Sequence, residues 1–166
     1  MTGPPEIGPG RGFRVSMTLA DYAVVTPDGK LTAVGCAWNV LRIGDQPFPF
    51  HVAAQIDVPW HRTNEKHTWR LELVDRDGQL ATFGEGDDAQ TVVPTDTFEL
   101  GRPSGAPRGA MFPMPLVVAF QHGLPFAPEN GWFEFRLFIN DETHEDWRLA
   151  FHTVPASGAG QEKRAA

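Results

Sequence analysis

Apolar and polar side chains alternate with a period of two through the stretch GWFEFRLFINDETHEDWRLAFHTV, from Gly131 to Val154. Phe133, Phe135, Leu137 and Ile139 fall on one face and Glu134 and Arg136 on the other; further on, Trp147, Leu149 and Phe151 alternate with Asp146, Arg148 and His152. That period belongs to a strand half-buried against a core, and no helix can use it. The two runs predict a hairpin turning through Asn140 to Glu145, with Ile139 opposite Trp147, Leu137 opposite Leu149 and Phe135 opposite Phe151. On the outward face Trp132 and Phe138 interrupt the polar row, and this register places Phe138 near Arg148, within reach of a cation–π contact.

The same alternation recurs upstream. Thr18 to Val25 is a strand with Ala20, Tyr22 and Val24 on one side, and it ends in the turn Thr26-Pro27-Asp28-Gly29. Leu31 to Ile43 is nearly continuously apolar but broken at Gly35, which predicts a bulge or a bend where one strand passes between two sheets. Phe50, Val52, Ala54, Ile56 and Val58 alternate with His51, Ala53, Gln55 and Asp57. Trp69, Leu71 and Leu73 follow, and Asp75-Arg76-Asp77-Gly78 turns the chain into Gln79 to Phe83 as a second hairpin. Thr91 to Leu100 reads as a strand weakened by Pro94, and Leu116, Val118 and Phe120 make another. Between them lies Gly101 to Pro115, a loop of the length that is usually functional or mobile.

About eight to ten short strands at a spacing of roughly 8 to 14 residues, with turn chemistry between them and no amphipathic helix, predict an all-β fold. The expected form is an antiparallel two-sheet β-sandwich, Greek-key or Ig-like/jelly-roll-like; a small antiparallel β-barrel is the other closure of the same pattern. The expected domain spans residues 17–154, between a disordered N-terminal tail at 1–16 and a disordered C-terminal tail at 155–166, both poor in periodic apolar residues. Met17 opens directly into the first strand, so it also reads as an alternative start.

Two stretches carry a family resemblance. The opening Leu19-Ala20-Asp21-Tyr22-Ala23, followed by Asp28-Gly29-Lys30-Leu31, Gly35 and Trp38, resembles the start of a family of small proteins of unknown function from actinobacteria. Leu71-Glu72-Leu73-Val74-Asp75-Arg76-Asp77-Gly78 is similar to that family's second characteristic stretch. The resemblance implies a compact β domain and carries no reaction, ligand or catalytic residue with it.

Composition narrows the function classes. The 17 glycines and 15 prolines suit many turns. The 166 residues suffice for one domain with a core, and 14 Lys+Arg against 21 Asp+Glu give a net charge of -7, which disfavours nucleic acid and anionic membranes as partners. No apolar run has secretory or membrane-spanning length, so a cytoplasmic location is expected. Cys36, the single cysteine, excludes an intrachain disulfide and a thiolate metal cluster, and its apolar surroundings predict a buried, inert thiol.

Candidate chemistry is sparse. Six histidines, His51, His61, His67, His122, His144 and His152, show neither the His-x-His nor the His-x-x-x-His spacing of metal sites. His61 and His67, flanking Glu65, and the acidic Asp75, Asp77 and Glu85 to Asp88 are the positions where a metal-dependent enzyme would have to place its ion, but the Asp75 stretch lacks the later oxygen ligands of a calcium loop. No Gly-x-Ser-x-Gly elbow occurs, and Glu72 and Glu134 fall on outward strand faces. The expectation is therefore a non-catalytic module without a cofactor, acting in protein–protein interaction or assembly, with a protein partner or a second subunit. Its expected contact surface comprises Trp132, Phe138 and Arg148 on the outer hairpin face with Trp60, Arg102, Arg108 and Phe112, the last three in the long loop. Trp60 and Trp132 are also the candidate platforms of a carbohydrate-binding module.

Overall fold

The computed structural model of the protein describes residues 12–127, 129 and 131–156. Eleven strands follow one another: β1 Arg14–Val25, β2 Leu31–Cys36, β3 Val40–Ile43, β4 Phe50–Pro59, β5 Lys66–Val74, β6 Thr82–Phe83, β7 Gln90–Thr91, β8 Thr95–Glu99, β9 Met111–Phe120, β10 Gly131–Ile139 and β11 Arg148–Pro155. The only helical pieces among the described residues are three short 3₁₀ turns, and none of them is long and apolar enough to cross a membrane. The fold is all-β, as the period of two requires.

Strands β2-β1-β4-β9 form a four-stranded sheet, β3-β11-β10-β5-β8 a five-stranded sheet, and β6 and β7 a short ribbon. The two larger sheets share one core. Phe50 and Val52 of β4 share one buried cluster with Phe135, Leu137, Phe151 and Leu71 of the other sheet. Phe50, Phe120, Phe135, Phe151 and Phe133 stack in a chain with ring centres 4.9 to 6.3 Å apart. Removing one fully buried ring of this chain costs about 3–5 kcal/mol, because the cavity left behind adds to the lost transfer energy. Trp69 and Trp147 both lie in this core.

The bend expected at Gly35 is present. Gly35 has φ +64°, and a Cβ there would clash with the Asp21 carboxylate and stand 2.9 Å from the Asp21 Cβ, so the position favours glycine. Ala37 follows at φ +63°, and between Cys36 and Val40 the chain leaves the four-stranded sheet and enters the five-stranded one, where β3 runs parallel to β11.

Several expectations are corrected in detail. The β10–β11 register pairs Phe135 with Leu149 and Phe133 with Phe151, two residues away from the predicted pairing, so every side chain keeps its face while its partner changes. The reason is the turn. Asn140 and Asp141 adopt left-handed conformations at φ 50° and 65°, the Ile139 N–H donates to the Glu142 carbonyl at 2.9 Å, and the chain then detours through the 3₁₀ turn Glu145–Trp147 before β11 begins. Pro94 splits the predicted strand at Thr91 to Leu100 into β7 and β8. The strand β1 starts at Arg14, with Arg14, Val15 and Ser16 paired to Asp57, Ile56 and Gln55, so the first sheet reaches into the segment expected to be tail. The rest of both expected tails, residues 1–11 and 157–166, lies outside the described residues.

Candidate interaction surface

Alternation along β10 sends Glu134, Arg136 and Phe138 to the outer face of the five-stranded sheet, where Arg136 stands opposite Arg148 and Glu72, and Phe138 opposite Arg70. Charge fills this face. Arg136 Nε lies 2.6 Å from Glu134 Oε1, and Arg148 Nε approaches the same oxygen to 4.0 Å. Arg136 stands directly opposite Arg148, a repulsive cross-strand pair that the buried Glu134 neutralises. Arg70 donates to Glu72 at 2.8 Å and to Asp141, and these carboxylates, Glu72 first, raise its already high pKa.

Phe138 finds its cation here, but not the expected one. The Arg70 guanidinium lies 3.9 Å from its ring centre, because β5 and not β11 places an arginine opposite it. Trp132 and Phe138 are six residues apart on one strand, about 20 Å, with Glu134 and Arg136 between them, so the two aromatic residues do not form a continuous patch. Arg148 is exposed and belongs to the charged row.

The long loop lies elsewhere, at the end of β4. It is shorter than expected, because Met111 to Pro115 belong to β9, paired with Pro59 to Gln55. Its remaining residues close over Trp60. Arg102 lies 3.6 Å from the Trp60 ring centre, donates from Nε to Thr63 Oγ1 at 2.8 Å and from Nη2 to the Trp60 carbonyl at 3.1 Å, while the indole N–H donates to the Ala106 carbonyl at 3.2 Å. Arg108 is 5.7 Å from the same ring, and Phe112 is half-buried opposite Val58. Arginine therefore covers one face of the Trp60 ring. The seven predicted contact residues thus divide into a docked loop around Trp60, an arginine and phenylalanine in the charged row, and separate positions for Phe112 and Trp132.

The histidines and acids sort by their partners. His67 is buried, its Nε2 2.8 Å from the Arg62 carbonyl and its Nδ1 3.0 Å from Asn140 Nδ2, with Phe13 and Phe98 rings at 5.0 and 5.1 Å. A carbonyl accepts and an amide N–H donates, so Nε2 is the nitrogen that donates and Nδ1 the one that accepts. His61 is exposed on the neighbouring 3₁₀ turn. Asp75 Oδ1 accepts from the backbone N–H groups of Asp77 and Gln79 at 2.9 and 3.0 Å, which shapes the turn. Among the described residues no three His, Cys, Asp or Glu side chains gather as a metal site requires.

The surface that sequence reasoning missed is the β1–β2 hairpin. Strand β4 pairs with β1 only from Arg14 to Ala20, so the hairpin beyond Tyr22 extends past its neighbour. Tyr22 is 52% exposed and Val34 60%, and Val24, Val25 and Leu31 are exposed as well. Tyr22, Val24 and Val34 continue the outward side of the four-stranded sheet, whose floor is Ala20, Ala53 and Val117. His51 lies on this side with its ring 5.2 Å from Tyr22 and its Nδ1 buried without a hydrogen-bond partner. Cys36 is exposed here, not buried, because β2 is an edge strand. The signal was in the sequence: β2, LTAVGC, has no charged residue to turn outward, and β1 packs Val15, Met17 and Leu19 against the core, which sends Tyr22 and Val24 to the opposite side.

On its other side the hairpin borders a recess of about 230 Å³ lined by Asp21, Trp38, Val40, Leu41, Arg42 and Phe48. The molecule is thus an all-β domain with docked loops and a projecting apolar hairpin. Residues 15–152 match a family of unknown function, DUF6941, and the chain belongs to that family. No curated protein and no solved structure matches it.

Proposed function

We propose that this domain is a non-catalytic protein-binding and assembly module, its two larger sheets packed as a sandwich and its contact surface at the β1–β2 hairpin. One observation carries the reading: Tyr22, Val24 and Val34 are exposed together on one face of a hairpin that projects past its sheet, with Val25 and Leu31 exposed on its other face. Single exposed apolar residues are ordinary, but a contiguous group is the mark of a surface that another molecule covers. The Trp60 and Phe138 regions are satisfied from within the chain and serve stability.

The test is a photo-crosslinking side chain placed at Val34 in the full chain, with Asp77 as the control position. The reading expects a discrete crosslinked polypeptide at Val34 that Tyr22→Glu abolishes. Equal crosslinking at Val34 and Asp77 overturns it.

A further inference from the structure

The edge strands of the two sheets are not alike. β9 carries Pro113 and Pro115, β8 carries Asp96 and Glu99, and β3 has four residues including Arg42, all devices that discourage further pairing. β2, Leu31–Cys36, carries neither charge nor proline. Its free side is defined by the hairpin. The Thr26 N–H donates to the Lys30 carbonyl at 2.8 Å, and bonded positions alternate along an antiparallel pair, so Leu31 and Ala33 turn their backbone groups away from β1, and the left-handed Gly35 closes the stretch. Among the described residues no strand meets them. The Gly35 carbonyl takes the Trp38 indole N–H at 2.9 Å and keeps a second lone pair.

Leu31 and Gly35 lie two residues to either side of Ala33. We propose that two copies of this chain pair antiparallel along β2, with a two-fold axis at Ala33, so that Leu31 of each copy enters the recess beside Trp38 of the other. This deepens the reading of the hairpin as a contact surface and rests on it. In that register Ala33 faces Ala33 and Leu31 faces Gly35, and residues directly opposite share a face. Gly35 has no side chain to block the approach, and the Asp21 carboxylate packed over it lines the recess, so Leu31 is delivered to the mouth formed by Trp38, Val40 and Phe48. The same pairing sets Val34 beside Thr32 of the second copy and extends the row Tyr22–Val34 across the axis. Knob and hole sit on one chain at positions that a two-fold exchanges, which is what an isologous interface needs. The charge balance is permissive: in a chain of net charge -7 the pairing strand is neutral, and the recess carries one acid and one base.

Light scattering and sedimentation of the full chain test the pairing. The wild type is expected to be dimeric at about 50 μM, while Ala33→Pro, which removes an outward N–H, and Val34→Lys, which sets two cations across the axis, each weaken association at least about tenfold. Melting temperature checks that both variants fold. Cys36 points off the sheet face rather than along its edge, so a nitroxide on this single cysteine reports the geometry of the native sequence; Cys36 stands six residues from its symmetry mate along the strand, about 20 Å between Cα atoms. A monomeric wild type, a dimer indifferent to both substitutions, or a separation beyond about 40 Å overturns the proposal. A monomer that still crosslinks another protein through Val34 removes the dimer and leaves the binding reading standing.

Discussion

His67 shows how a residue that looks like a ligand in sequence becomes part of a core. Both ring nitrogens are used, by the Arg62 carbonyl and Asn140, and Phe13 and Phe98 close over the ring. His67→Ala is expected to lower stability by about 2–4 kcal/mol in urea unfolding, through the cavity and the stranded Asn140 amide. Glu134 was legible as an outward residue, but its burial was not, because that depends on two arginines, one of them brought from β11. Glu134→Gln leaves Arg136 facing Arg148 uncompensated. Water around the partly exposed Arg148 limits the expected loss to about 1–2 kcal/mol, read by the same unfolding experiment. At the hairpin tip, the Thr26 hydroxyl and then Lys30 hold the Asp28 carboxyl below its ordinary value of 3.8. Its folded pKa being the lower one, its support of the turn is complete above the ordinary carboxylate range and is lost as pH falls through the lowered value. A carboxyl titration by NMR checks this, with the Asp28 midpoint expected below that of the unfolded chain.

At the scale of elements, alternation revealed which face of each strand is buried, at Phe133 to Ile139 as at Phe50 to Val58. It did not reveal partners. The two-residue slip in the β10–β11 register preserves the buried face, so hydrophobic pattern has no power over it; the left-handed Asn140 and Asp141 decide it. The start of β1 was hidden for a related reason: Phe13 and Val15 pack against the core from a stretch whose Gly and Pro neighbours conceal any period. A chain begun at Met17 loses the pairing of Arg14 to Ser16 and the Phe13 ring against His67 and Phe98. It is expected to be about 2–4 kcal/mol less stable than the full chain by urea unfolding. Equal stability would show that these residues contribute nothing to the fold. Gly35 was legible as a bend, and its close contact with Asp21 follows only from the hairpin geometry.

For the whole molecule, the family assignment rests on residues 15–152 and supplies no activity, so function has to be argued from surfaces. Composition and alternation pointed to the aromatic residues that break a polar row, Trp132 and Phe138, as the contact surface. The surface proposed above lies on the other sheet, where the difference in length between β1 and β4 exposes Tyr22 and Val34, a property of topology rather than of any local pattern. Phe138→Glu is accordingly expected to leave the oligomeric state unchanged, whereas Val34→Lys changes it. The most direct measurement is amide hydrogen exchange along β2 as the protein is concentrated. Pairing between copies predicts that the N–H groups of Leu31 and Ala33, free in the single chain, become protected with rising concentration and lose that protection in Val34→Lys. Exchange of these two amides at one rate across the whole concentration range, and equally in the variant, would contradict it.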